Sequence, residues 1–341
     1  MPVISSDDID FELYLHVTDH QQRVKAASVY VQALLDRMNT PNKEKRVFMP
    51  WEKTRDLIQF RPGEVTVWGG PNGSGKSLVT GQVALSLAAQ NERVCIASFE
   101  MKPMKTMERM GRQWTSMSLG DDFLLSNPEA RRILVDEYEQ FRDWTDDKIW
   151  LYDQQGTVQW RQVCAVARYA AKELSVSHFF VDNLGKCVAG EDDFNGQKAF
   201  VDELCSIARD ANIHIHLVHH IKKPATENAR PTKYDFKGTG AITDQPDNVI
   251  AVWRNKDKER KIQDGKAVPI TEPDTLLIVD KQRNGEGWEG NIGLYFHKAS
   301  NQFLAGHNAK PAKTRHGTRT PAAKCASKAS ADVPSSRPTF T

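Results

Sequence analysis

No apolar run in the 341-residue sequence approaches the ~20 residues of a membrane-crossing helix, so no membrane span is expected. There is no CxxC pair, and the five cysteines (Cys95, Cys164, Cys187, Cys205, Cys325) are an odd, scattered set. That argues against a disulfide framework or a cysteine-rich zinc centre and fits a reducing compartment. Met1 to Asp10 is acidic and carries no apolar signal segment, so the expected location is cytoplasmic. Charge of one sign is scarce too, with a net of only +2. Residues 307–341 hold seven basic side chains and one acid, a net +6, which leaves the rest at −4. A nucleic-acid site in the folded part must therefore be a local patch, not a global field. What is present, 39% hydrophobic and 26% charged residues, suffices for a globular core.

Three zones follow along the chain. Residues 1–50 are polar apart from an amphipathic stretch, in which Val24, Ala27, Val31, Leu34, Leu35 and Met38 recur near helical spacing. A lone helix cannot bury such a stripe, so it must dock on the main domain or on another subunit. Residues 51–305 alternate apolar runs (Val65–Trp68, Val94–Phe99, Ile149–Tyr152, His178–Val181, Ile213–Val218, Val249–Trp253, Leu276–Val279) with helical patterns over 76–90, 104–118, 159–174 and 197–210. This alternation predicts an α/β fold with a mostly parallel sheet covered on both faces. After Ile213 helices become sparse, which predicts antiparallel strands added to one edge. Residues 306–341, rich in Ala, Ser, Thr, Pro and Lys, read as a disordered basic tail.

Gly70-Pro71-Asn72-Gly73-Ser74-Gly75-Lys76-Ser77 matches GxxxxGK[ST] in full, between a strand and a helix. Backbone N–H groups of such a loop converge on phosphate oxygens at a helix N-terminus. Lys76 would reach the β/γ-phosphates and Ser77 would hold Mg²⁺. The second metal carboxylate is expected at Asp182, which ends the apolar strand His178–Val181. Glu100 ends the neighbouring strand, where a carboxylate can orient or deprotonate water, although a surface Glu opening a helix fits the spacing as well. Lys237, between Asp235 and the run Gly238-Thr239-Gly240, suits a loop that grips a phosphate without reading sequence; a plain flexible connection is the other reading. His214, His216, His219 and His220 lack the accompanying ligands of a closed zinc set. Phe296 and Phe303 suit either stacking on a nucleotide base or core packing.

Taken in order, these motifs resemble the hexameric replicative DNA helicases of the DnaB group, most closely the helicase half of phage primase-helicases and mitochondrial Twinkle. The resemblance covers residues 50–305 and rests on Ser98-Phe99-Glu100-Met101, Leu217 to Lys222, Arg230-Pro231 with Asp235 to Ile242, Asp247 to Ile250 running into Trp253-Arg254, and Val279 to Gly285. It implies a RecA-like P-loop NTPase core, with ATP or dTTP as substrate and Mg²⁺ as cofactor. Glu100 would be the catalytic base and His220 the γ-phosphate sensor. Arg254 would lie at the nucleotide, and Lys237 to Gly240 would form the DNA loop. Arg283, with Lys281 as companion, would be the finger that completes a neighbour's site. The N-terminal helix becomes a candidate linker that docks on the adjacent protomer. With about 50 residues ahead of the core, neither a primase half nor a helical collar is expected.

The expected function is an ATP-driven ring, a homohexamer, that moves 5′ to 3′ on single-stranded DNA and unwinds forked duplex. Primase, polymerase or a loader are candidate partners, and a phage or prophage source fits the resemblance. A RecA-type recombination or repair ATPase remains the alternative, since fold does not fix function. A slowly hydrolysing loader or scaffold and a small-molecule kinase are further from the motif set.

Overall fold

The structure is a computed structural model that describes residues 3–4, 26–39, 46–117, 126–190, 192–222, 229–285 and 287–313. In chain order the elements are β1 (Val3–Ile4), α1 (Ala27–Asn39), β2 (Val65–Gly70), α2 (Lys76–Ala89), β3 (Val94–Ser98), α3 (Pro103–Thr115), α4 (Pro128–Thr145), β4 (Ile149–Tyr152), α5 (Trp160–Glu173), β5 (His178–Asp182) and α6 (Phe194–Ala211). Then follow β6 (His214–His220), α7 (Ala241–Asp244), β7 (Asn248–Arg254), α8 (Lys256–Gln263), β8 (Thr275–Gln282), β9 (Gly290–His297) and β10 (Gln302–Leu304).

Every residue of β2, β3, β4 and β5 is buried, which is possible only in a sheet covered on both faces. On one face Val163, Val166 and Ala170 of α5 and Phe200, Leu204 and Ile207 of α6 close the core. On the other, Val79, Val83 and Leu87 of α2 pack with Met110 and Trp114 of α3 and Phe141 and Trp144 of α4. Each large side chain so buried contributes on the order of 1.5–3 kcal/mol. The strand order is β1-β4-β3-β5-β6-β2-β7-β8-β9-β10. Strands β4 to β7 are parallel, and β8, β9 and β10 run antiparallel. The parallel strands therefore send their C-terminal ends, including those of β2, β3, β5 and β6, to one rim.

The expected α/β alternation is observed, with two adjustments. The antiparallel edge begins one strand later than expected: β7 is still parallel to β2, because short α7 serves as its crossover. The tail also begins later than residue 306. The Gln302 side chain donates to Ala312 O (2.9 Å) and accepts from Ala312 N (3.1 Å), and Lys313 pairs with Glu137 at 2.5 Å. The tail beyond Lys313 lies outside the described residues. Helix α1 forms where its periodicity predicts, and Val29, Tyr30, Val31, Leu34, Leu35 and Met38 are all exposed. Its stripe is thus left uncovered by its own domain.

Candidate functional site

The loop between β2 and α2 is shaped by glycine. Gly75 caps α2 at φ +93°, a left-handed conformation that costs a side-chain-bearing residue and suits glycine. Within the loop the Ser74 hydroxyl is buried with no hydrogen-bond partner among the described residues. Lys76 is buried; its Nζ donates to Gly70 O (2.8 Å) and Pro71 O (3.0 Å) and lies 3.2 Å from His220 Nδ1. Burial pushes the Lys76 pKa down to about 8, with Asp182 and Glu100 acting the other way.

Ser77 Oγ donates to Asp182 Oδ2 at 2.7 Å, so the two residues assigned to the metal meet although 105 positions apart. Burial pushes the Asp182 carboxyl up, opposed by the Ser77 hydroxyl. A hydroxyl and a carboxylate side by side are hard oxygen donors of the kind Mg²⁺ accepts together with phosphate oxygens and water. Among the described residues no cluster of three His, Cys, Asp or Glu forms an all-protein metal cage. The donor set therefore fits a metal that arrives with a nucleotide.

Glu100, two residues past β3, faces the same space. Asn183 Nδ2 donates to Glu100 Oε1 (2.7 Å) and lies 3.0 Å from His220 Nε2. His220 is pushed down, first by burial and then by the charge of Lys76. Together Asn72, Gly73, Gly75, Lys76, Ser77, Leu78, Glu100, Arg109, Asp182 and His220 line a cleft of about 380 Å³. Arg254, at the end of β7, donates to Gly73 O (3.2 Å) and forks onto Glu259 (2.6 and 2.8 Å), which sets it on the loop's rim. Phe303 is buried and would meet a Cβ at Gly75 at 3.2 Å, so it belongs to the core; Phe296 stacks on it at 5.1 Å and is partly exposed.

The Lys237–Gly240 loop departs from the end of β6. Lys237 N donates to His220 O (3.2 Å), and the His219 ring nitrogen Nε2 lies 2.8 Å from Lys237 O. Thr239 N donates to Gln197 Oε1 on α6 at 3.1 Å. Lys281 and Arg283 sit elsewhere. Gln282 pairs with Asn248, so the end of antiparallel β8 lies where the parallel strands begin, opposite the phosphate rim. There Lys281 Nζ donates to Thr243 O (2.9 Å) and Asp244 O (2.6 Å), and Arg283 Nη2 donates to Asp244 O (2.9 Å). The histidines are not a metal centre: His214 and His216 lie inside the core, stacked with Phe60, His178 and Phe180.

Two cleft residues carry no role in the sequence reading. Arg109 lies nine positions after Glu100 on α3, and its charge acts to lower the Asp182 pKa. Its neighbours Lys105, Glu108 and Arg112 make that helix face look like ordinary solvated surface, so only the 3.6-residue phase from Glu100 hints at it. Asn183 follows Asp182 directly, but nothing in its type or spacing announces a contact with Glu100.

A phosphate loop after β2 and an acidic strand end two strands away define a P-loop NTPase with a RecA-like core. Residues 55–305 match the model of the DnaB-like helicase C-terminal domain, and the chain belongs to that family. Among solved structures it is similar to the ATPase domain of a phage helicase, with 14% identity and a TM-score of 0.68 over 82% of this chain and 99% of that one. It is also similar to a DnaB-like replicative helicase solved for its interactions with primase, with 14% identity and a TM-score of 0.66 over 82% and 67% of the two chains. The chain is thus a replicative DNA helicase that hydrolyses nucleoside triphosphate. Of the sequence alternatives, the match is to the helicase and not to a recombination ATPase. No helix among the described residues is long and apolar enough to cross a membrane.

Proposed function

We propose that this helicase works as one protomer of a homohexameric ring that draws single-stranded DNA through its channel, 5′ to 3′, and splits the duplex at a fork. In each protomer the Gly70–Ser77 loop would cradle the phosphates of ATP or dTTP. Lys76 would neutralise the β/γ oxygens, and Arg109 would add a second cation across the cleft. Ser77 and Asp182 would hold Mg²⁺, which supplies charge neutralisation at the phosphates. Glu100 would orient and deprotonate the attacking water, and His220 would report the γ-phosphate to the Lys237–Gly240 loop. Arg254 and Phe296 would flank the nucleotide base. Glu100 and Lys76 supply base and cation on one rim, and Arg283 with Lys281 would supply the missing charge from the next protomer, with α1 docking there as the linker. Such a finger contributes on the order of 10³-fold or more in rate.

The carrying observation is the separation of the two half-sites. Lys76, Ser77, Glu100 and Asp182 gather at the C-terminal ends of the parallel strands, whereas Arg283 and Lys281 lie at the opposite end. A single chain is then incomplete, and two chains in head-to-tail contact complete one site. The fork is the substrate on this reading, the cytoplasm of a phage-infected or lysogenic host is the setting, and primase, polymerase or a loader are the partners to test. Arg283→Ala and Glu100→Gln are each expected to lose most hydrolysis. Mixed together they should regain part of it, because some interfaces pair an intact base with an intact finger. No recovery at any mixing ratio would contradict the shared site.

A further inference from the structure

We infer that Asn183 is the positioning residue that ties the base Glu100 to the DNA loop by way of His220. The inference rests on the roles proposed above for Glu100, His220 and Lys237, and goes beyond them by naming the link between base and sensor.

Glu100 Oε1 and His220 Nε2 are 3.7 Å apart, outside hydrogen-bond reach. The Asn183 side-chain nitrogen stands between them, 2.7 Å from Glu100 Oε1 and 3.0 Å from His220 Nε2. A reversed amide would press its oxygen against the carboxylate, acceptor against acceptor, so the NH₂ group belongs there, and its two hydrogens serve the two partners. Asn183 is 1% exposed and held from behind: its carbonyl accepts from Lys186 N (3.1 Å) and from the Cys187 thiol (3.4 Å). A buried amide so fixed is a short, stiff strut rather than a mobile contact.

The strut meets the end of β6, and that end is stapled to the loop. His220 O accepts from Lys237 N, the His219 ring holds Lys237 O, Ile221 bridges Phe236, and Lys222 N donates to Asp235 O at 2.7 Å. A strand of DNA that pulls on Lys237 therefore pulls on the backbone that carries the His220 ring. Asn183 converts that displacement into a displacement of Glu100, so that base placement follows loop occupancy. Without Asn183 the loop can still move and Glu100 can still enter the cleft, but the two are no longer linked.

The test measures hydrolysis with and without saturating oligo(dT), together with oligo(dT) affinity, for wild type, Asn183→Ala, His220→Ala and the double variant. The expected result is that Asn183→Ala lowers the ratio of DNA-stimulated to unstimulated kcat by about tenfold, the factor a hydrogen bond to a charged group is worth. Oligo(dT) affinity should stay within about twofold, and Asn183→Ala should lower the ratio no further in the His220→Ala background. A packing role would instead scale both rates together and would add to the His220 effect. Should Asn183→Ala fail to fold, Asn183→Asp keeps the shape and removes both donors, and the same fall in ratio is expected. An unchanged ratio in a stimulated, folded variant overturns the inference alone. A wild type that hydrolyses nucleotide with no response to DNA overturns the reading of the loop and this inference with it.

Discussion

At the scale of single residues, the chemistry depends on side chains that reach one rim from distant parts of the chain. Gly238 shows how tightly one of them is held. It adopts φ +87°, and a Cβ there would lie 2.0 Å from Gln197 Oε1, the same oxygen that accepts from Thr239 N. Gly238→Ala combines left-handed strain with a clash, a cost of about 1–2 kcal/mol. That substitution is expected to reshape the loop and weaken single-strand affinity several-fold in a binding titration. Unchanged affinity would show that the pinned conformation is not the one that meets DNA. Most of this chemistry was legible in the sequence because Lys76, Ser77, Asp182 and Glu100 each stand at a strand or helix end with a motif around them. Arg109 and Asn183 were not legible. Their part comes from the fold bringing α3 and the end of β5 back over the loop, and neither residue type marks such a contact.

At the scale of elements, the fully apolar strands announced themselves, and the helices with a clean stripe did too. Helix α4 did not, because exposed Ile133 and Val135 flank buried Leu134 and blur the stripe, although Asn127 caps the helix and Pro128 opens it. Strands β9 and β10 were missed for a different reason: one alternates half-buried positions between glycines, and the other spans only three residues. Strand β6 was found, but its histidines turn out to serve the core. Burial pushes His214 down to about 3 and His219 to about 4, and holds His216 well below its usual value beside His178 and His214. In the unfolded chain these rings titrate near ~6.5. The folded state therefore favours the neutral rings: their contribution is full above that pH and is lost as pH falls toward 4, by up to ~1.4 kcal/mol per unit for each ring. Urea unfolding is expected to show stability dropping steeply between pH 6.5 and 5. A flat profile would contradict neutral histidines in the core.

At the scale of the whole molecule, two features point outward. Helix α1 presents Val29, Tyr30, Val31, Leu34, Leu35 and Met38 to solvent, an apolar stripe with no cover from its own domain. Leu34→Ser with Leu35→Ser is expected to leave the fold's thermal midpoint unchanged and to shift the chain from ring to smaller species in light scattering. A ring that persists would remove the linker role from α1. The second feature is the polar arrangement of the sheet, with the phosphate cleft at one end and Lys281 and Arg283 latched to α7 at the other. Because α7 directly follows the Lys237–Gly240 loop, one chain holds its DNA contact and its finger on the same short segment. Hydrolysis in one site can then move the DNA grip of the next.

The central claim is that this architecture converts hydrolysis into directional unwinding. The most direct measurement is strand displacement on a forked duplex with a 5′ single-stranded tail, in the presence of ATP and Mg²⁺. Displacement that requires the 5′ tail and disappears in Lys76→Ala is the expected result. Displacement that proceeds from a 3′ tail alone, or that survives Lys76→Ala, would contradict the account.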